Sequence, residues 1–319
     1  MGYMEIAAKG GGIHSSVRDV RARSEDELYL LARARLAKLA AHGTTTVEIK
    51  SGYGLSVDDE LKSLRVIQRL QRDVNLRIVP TWLGAHEIPT EFRDTAARRS
   101  EYVQLLLNEM LPRVRDEQLA KFADVFCEPG VFTVDETRAI LTASREAGLA
   151  LKLHADELEG AGAAELAAAI GATSADHLAA ISEPGIRALA ASDTVATLLP
   201  GTMLFLGKPK QAPARDLIAA GAAIALASDF NPGTSPTVNF PLILTLGVSQ
   251  LKLSVAEAIL AATVNGAAAL NLAEETGQLA SGFAADIAMW DCEDVREIPY
   301  WYGDRRCVAT WVNGELTRV

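Results

Sequence analysis

The sequence predicts an α/β protein: a (β/α) barrel of the eight-stranded TIM type with one strand wanting, followed by part of a small β domain. Three observations carry this. Seven strand-then-helix units follow one another, the repeat that builds a parallel sheet. A doubly wound sheet usually holds about six strands and a closed barrel takes eight, so seven is one short of a barrel. After about residue 272 the repeat stops and the pattern becomes that of antiparallel strands. The expected organisation is a barrel over residues 1–272 and C-terminal strands of a composite β domain over 273–319.

In chain order, Gly10-Gly11-Gly12 makes a loop, and Ser24-Glu25-Asp26-Glu27 forms a capping box opening a helix that ends before Gly43. Leu28, Leu31, Ala32, Leu36 and Leu39 fall on one face of it. The β-branched run 44–49 is a strand that opens into Lys50-Ser51-Gly52-Tyr53-Gly54, and Ser56 starts a helix to about Asp73. Strand 76–82 runs into Gly84-Ala85-His86-Glu87, and 90–118 is helical. Strand 122–126 runs into Cys127-Glu128-Pro129-Gly130, an ordinary turn sequence, and Thr133 caps a helix to about Ala147. Strand 149–153 ends in His154-Ala155-Asp156-Glu157, and an Ala-rich helix over 161–170 precedes strand 173–177. A helix at 183–191, a strand at 194–199 and a helix at 213–220 lead to the apolar run 222–227. That run reads as a buried strand and breaks at Asp229 into Phe230-Asn231-Pro232-Gly233-Thr234. An amphipathic helix over 254–270 follows, with a packing role for Asn265 to Leu270. Runs 285–290 and 307–312 are antiparallel strands, the second closed by an Asn313-Gly314 turn.

Composition sets outer limits. With 319 residues, 49% hydrophobic and 23% charged, the chain buries a full core and is not a disordered protein. A net charge of −10 argues against a nucleic-acid or anionic-membrane partner. Cys127, Cys292 and Cys307 form no CxxC pair, so free thiols in a reducing cytosol are expected. With no apolar run of membrane-spanning length and no signal-peptide pattern, a soluble cytoplasmic protein is expected. The triple glycine lacks both phosphate-loop spacings.

The chemistry gathers at strand ends. Four of the seven carry a His or Asp: His86, His154, His177 and Asp229. The chain has five histidines, of which His14 and His42 are isolated. A single His or Asp at a strand end is commonly a loop residue. Several on one barrel rim converge on one volume, which favours a site. Imidazole and carboxylate suit zinc or non-haem iron, and a catalytic ion keeps about three protein ligands and one open position. Such an ion lowers the pKa of its water to about 7, for attack on a carbonyl or amidine carbon. Glu157, three residues past His154, is placed to carry a proton to a leaving nitrogen.

Several runs are distinctive in type and order: Tyr3-Met4-Glu5-Ile6, Gly10-Gly11-Gly12-Ile13, Glu48-Ile49-Lys50-Ser51-Gly52-Tyr53-Gly54, Gly84-Ala85-His86-Glu87-Ile88-Pro89, Leu153-His154-Ala155-Asp156-Glu157 and Ser228-Asp229-Phe230-Asn231-Pro232-Gly233-Thr234. Together they resemble the amidohydrolase superfamily of metal-dependent hydrolases, and within it the imidazolonepropionase family of histidine degradation. The resemblance implies a TIM-type barrel with a small composite β domain and one metal ion, zinc or iron. It implies His154 and Asp229 as metal ligands, Tyr53 and His86 against the substrate's propanoate and ring, and Glu157 on the ring and in proton handling. It gives His177 the role of polarising the attacked carbonyl, and sets Asn231, Gly233 and Thr234 along the pocket. The implied reaction is hydrolysis of the cyclic amide C–N bond of the small-molecule substrate 4-imidazolone-5-propanoate to N-formimidoyl-L-glutamate. A homodimer is compatible with it.

The resemblance is incomplete at one place. The family's first β-domain strands, its first barrel strand with a His-x-His metal pair, and an Arg that binds the substrate carboxylate have no counterpart here. The expectation is a barrel lacking its first strand, with exposed edges and a loose fold when alone. Three readings stand: an imidazolonepropionase active in its full form, a related amidohydrolase of the cytosine or guanine deaminase type using His154, His177 and Asp229, or a non-catalytic fragment that pairs with another chain.

Overall fold

Seven short strands form one parallel sheet in strict sequence order: β1 (Thr46–Lys50), β2 (Arg77–Ala85), β3 (Phe122–Cys127), β4 (Ala150–Ala155), β5 (Ser174–His177), β6 (Val195–Leu198) and β7 (Ile224–Leu226). The computed structural model describes residues 12–317; runs 3–6 and 10–11 singled out above lie outside them. Among the described residues β1 pairs only with β2, and β7 only with β6. The sheet is strongly curled. In a flat sheet β1 and β5 would lie roughly 19 Å apart, at about 4.8 Å per strand. Lys50 of β1 nevertheless reaches Asp124 of β3 at 2.6 Å and Asp176 of β5 at 3.1 Å. The strands therefore wrap around a common interior, as in a barrel wall.

Local chemistry explains where the elements start. Ser24, Thr133 and Ser254 each close a reciprocal capping box, with Glu27, Glu136 and Glu257 respectively. Ser56 caps the helix Val57–Asp73. The region 90–118 is one helical stretch in pattern but three pieces in space: Ala96–Leu105, a π-turn Leu106–Met110, and Leu111–Asp116. Pro112 accounts for the wide turn, because its ring removes one backbone donor and displaces the carbonyl a turn earlier.

Two expectations are corrected. On the helix Glu25–Ala41 the inward face is not the predicted one: Leu31 is exposed, whereas Tyr29 is buried. Tyr29 turns toward the neighbouring helix, where its hydroxyl donates to Asp73 (2.9 Å) and Arg69 lies over its ring. The predicted helix 254–270 breaks at Thr263 into Val255–Ala262 and Val264–Ala268. The break brings Asn265 to β7, where its side-chain amide donates to the Ile224 carbonyl at 2.7 Å. A further helix, Phe240–Ser249, capped by Asn239, packs on β7 as well. It is too uniformly apolar to show a helical stripe.

The C-terminal part forms a separate antiparallel sheet, β8 (Ile287–Trp290), β9 (Cys307–Val312) and β10 (Glu315–Leu316), in the order β10-β9-β8. Asn313 and Gly314 both have positive φ, 51° and 80°, the geometry an Asn-Gly hairpin turn requires. This sheet rests on the end of helix Glu25–Ala41: Thr310 Oγ1 donates to the Ala40 carbonyl at 2.8 Å. Trp290 covers Gly43, where a Cβ would lie 2.5 Å from the indole and φ is +87°. All three cysteines are free, and among the described residues no helix is long and apolar enough to cross a membrane.

Candidate active site

The rim of the curled sheet is built from backbone that few residues accept. His177 closes β5 with φ 80°, Asp156 follows β4 with φ 47°, and Asp229 follows β7 with φ 49°. Such left-handed geometry costs roughly 1–2 kcal/mol for a residue with a Cβ, so its recurrence at three strand ends marks a place where side chains are aimed against local preference. A cavity of about 820 Å³ opens at this rim. Tyr53, His86, His154, Glu157, His177, Asp229, Asn231, Gly233 and Thr234 all line it, and a run of direct contacts, Tyr53 to His86, His86 to His154, His154 to His177 and His177 to Glu157, brings five of them together. The cavity continues between β1 and β7, past Ile49 and Ala225, toward Trp290.

Each histidine is fixed differently. His154 sits on β4 itself, and its Nδ1 lies 3.0 Å from Asp124 Oδ1, leaving Nε2 for the cavity. Burial alone would discharge this ring, but the Asp124 carboxylate outweighs it and raises the pKa to about 9. His86 Nδ1 faces the Gly52 carbonyl at 2.9 Å, and Tyr53 meets the His86 ring edge-on at 5.2 Å between centroids. Burial pushes His86 down to about 4, and likewise His177, so both are neutral imidazoles near pH 7. His177 Nε2 lies 3.5 Å from Glu157 Oε2, while its Nδ1 is a buried ring nitrogen with no hydrogen-bond partner among the described residues. The Glu157 carboxyl, only 10% exposed, is pushed up to about 8 by burial and then by the charge of Asp229. Asp229 accepts a 2.6 Å hydrogen bond from the Thr202 hydroxyl.

The 231–234 loop is closed by its own side chain. Asn231 Oδ1 accepts the amide N–H groups of Gly233 and Thr234 (2.8 Å each), and its Nδ2 donates to the Asp229 carbonyl and to Thr234 Oγ1. Its polar capacity is spent on shaping the turn behind Asp229. The 52–55 loop has an equivalent device in Glu60, fully buried, whose carboxylate accepts the N–H groups of Gly52, Gly54 and Leu55 at 2.7–3.1 Å.

Beneath the histidines lies a layer of charge that sequence reading did not anticipate. Lys50 Nζ touches Asp124 (2.6 Å), Asp176 (3.1 Å) and Glu48 (3.1 Å), and Lys152 Nζ lies 3.3 Å from Glu48 and 3.0 Å from Ser174 Oγ. Thr81 donates to Glu48, and Ser174 to Asp176. Burial opposes these charges, yet Lys50 and Lys152 hold Asp176 below the usual carboxylate range, His154 and then Lys50 hold Asp124 below it far more strongly, and the carboxylates raise Lys50. The missed signal was a period of two: Glu48 and Lys50, Lys152 and His154, Ser174 and Asp176 alternate with apolar residues on strands too buried to tolerate a stray charge.

The donors present suit a metal ion. Among the described residues Asp124, His154 and Asp176 offer ligand atoms within 4.8 Å of one another, and the His177 ring lies 5.2 Å from that of His154 between centroids. Lys50 already neutralises the two aspartates, and Asp124 also takes the His154 Nδ1–H. That geometry makes Asp124 the group that sets the His154 tautomer, the usual support of a metal-binding imidazole.

The sequence matches the amidohydrolase family over residues 8–318, and the curled parallel sheet with histidines and a carboxylate on one rim accords with that class of hydrolase. The fold is shared with a 5-methylcytosine deaminase of Klebsiella pneumoniae (TM-score 0.76, 18% identity, 97% of this chain and 79% of that one). It is also shared with a zinc-bound adenosine deaminase of Xanthomonas campestris (TM-score 0.74, 16% identity, 99% and 74%). Sequence relatives are more specific. An imidazolonepropionase of Solibacter usitatus is 47% identical over 98% of this chain and 74% of its own length. That of Bacillus velezensis is 46% identical over 99% and 74%, and that of Clostridium tetani 48% over 93% and 70%. The chain belongs to the imidazolonepropionase family.

Proposed function

We propose that this protein hydrolyses the cyclic amide C–N bond of 4-imidazolone-5-propanoate to give N-formimidoyl-L-glutamate, with a divalent metal, zinc or iron, held by His154 and Asp229. The observation that carries the reading is the run of contacts from Tyr53 through His86, His154 and His177 to Glu157, drawn from four separate loops and strand ends, in a cavity that Asp229, Asn231, Gly233 and Thr234 also line. A metal in this cavity supplies Lewis acidity and an activated water.

The remaining work falls to side chains. His86 and Tyr53, held edge-to-face, form an aromatic wall against the planar imidazolone ring and its propanoate arm. His177, neutral at working pH, retains one N–H with which to polarise the carbonyl under attack. Glu157, with its pKa near 8, holds a proton at neutral pH and sits 3.5 Å from His177, where it can pass that proton to the departing ring nitrogen. Gly233 and Thr234 form the cavity wall beside Asp229, in the turn that Asn231 shapes.

The test is turnover of 4-imidazolone-5-propanoate, followed by loss of the imidazolone chromophore and mass-spectrometric detection of N-formimidoyl-L-glutamate, with metal analysis of the purified protein. Ammonia release from cytosine or guanine without imidazolone turnover would replace this reading with a deaminase.

A further inference from the structure

Glu128, which reads in the sequence as part of an ordinary turn, is a buried carboxylate at the end of β3, 4% exposed. Its two oxygens accept three consecutive backbone N–H groups of the loop after β4: Oε2 takes Glu157 (3.1 Å), and Oε1 takes Leu158 (3.2 Å) and Glu159 (2.7 Å). Its own backbone is anchored by the 128–132 turn, where Glu128 N donates to the Phe132 carbonyl and Val131 N to the Glu128 carbonyl. The far half of the loop is held separately, by Asp156 accepting from Ala161, Ala163 and Ala164. The Glu157 side chain leaves this clamped backbone toward His177.

We propose that Glu128 is a positioning residue for Glu157: its carboxylate sets the backbone of residues 157–159 and so the direction in which the Glu157 carboxyl enters the cavity. This rests on the reading of Glu157 as the proton carrier. A carboxylate suits the task because both of its ends accept. A carboxamide of the same shape accepts at one end only and turns an N–H₂ group toward a backbone N–H at the other. Glu128→Gln therefore keeps the volume and breaks the clamp.

Glu128→Gln is expected to lower kcat about ten- to a hundredfold, the order of loss for a catalytic group misplaced by about 1 Å. KM should stay within about threefold and metal content should be unchanged, because the Tyr53–His86 wall stands on other loops and His154 lies within β4, outside the clamped backbone of 157–159. Peptides covering residues 156–160 should exchange amide hydrogens faster in the variant, while those of β4 do not change. A kcat within about twofold of the parent, unaltered exchange at 156–160, or a loss of activity that tracks metal content or global unfolding would each overturn the proposal. If the variant does not fold, exchange in the parent decides: protection of 157–159 comparable to β4 supports the clamp, and exchange at the rate of an open loop refutes it. A parent without imidazolone turnover would refute the assigned reaction, while the exchange comparison would still report on Glu128 and its loop.

Discussion

Lys50→Met tests the charged layer directly. In the parent, one ammonium faces three carboxylates at 2.6–3.1 Å, and the side chains of Asp124, Asp176 and Glu48 are 0%, 6% and 15% exposed. Removing one partner of a buried ion pair costs about 3–5 kcal/mol, because the charge left behind has little solvent to replace the lost partner; here His154 still faces Asp124 and Lys152 still faces Glu48, which moderates the loss. Lys50 keeps 22% of its side-chain exposure and borders the cavity, so water reaches it and the lower end, about 3 kcal/mol, is expected. For a chain of 319 residues that is a fall in Tm of about 4–5 °C. The loss should depend on pH with a definite sign. In the parent, Asp124 and Asp176 have folded pKa values below their unfolded ones, so their stabilisation is present above the ordinary Asp range and is lost as pH falls through the folded values. In the variant Asp124 keeps His154 and Glu48 keeps Lys152, but losing Lys50 raises the folded pKa values of the carboxylates above those in the parent, so the deficit shrinks as pH falls through the ordinary carboxylate range of about 4–5. Urea unfolding of both proteins across that range is the assay. A variant within about 1 kcal/mol of the parent at pH 7, or a deficit independent of pH, would refute the argument.

Other perturbations separate the remaining parts. Glu60→Ala strips the acceptor from three buried N–H groups of the Tyr53 loop; a stability loss of about 2–4 kcal/mol and a KM increase larger than any fall in kcat are expected from unfolding and steady-state kinetics. Glu157, raised to about 8 from an ordinary 4.5, keeps its proton when folded and sheds it when unfolded between those values, so it costs stability as pH rises. Glu157→Gln should therefore gain on the parent, by up to about 1.4 kcal/mol per pH unit, as urea unfolding is repeated from about pH 5 to about pH 8. Gly43→Ala meets the Trp290 indole at 2.5 Å with φ +87°, and a loss of roughly 2 kcal/mol or more by thermal unfolding is expected. His154→Ala should lose bound metal on dialysis against a weak chelator that leaves the parent loaded, read by elemental analysis.

Much of the fold was legible because it rests on local chemistry. Ser24 with Glu27 and Thr133 with Glu136 announce their helices through side chains three residues apart, and Asn313-Gly314 announces its hairpin. The residues at the cavity rim were legible because a parallel repeat places strand ends on one rim. What stayed hidden depends on partners distant in sequence. Tyr29 is buried because Asp73 and Arg69 receive it, 44 and 40 positions away, and no periodicity within its own helix encodes that. Glu128 looks like a turn residue until the loop from 157 to 159 is laid over it. Asp124 and Asp176 declare themselves only once strand register sets them beside Lys50, although a charge inside Phe122-Ala123-Asp124-Val125-Phe126 was a signal in plain view.

The layer of alternating charge also bears on how such short strands find their places. β5, β6 and β7 have four, four and three residues, so their backbone ladders alone distinguish neighbouring alignments weakly. Sliding β4 by one residue would turn Lys152 and His154 out under the apolar helices. Sliding it by two would keep them inside but carry Lys152 away from Glu48 and Ser174, and His154 from Asp124. The ions beneath the site thus act as an addressing code for strand alignment, written in charge where length is too short to write it in hydrogen bonds.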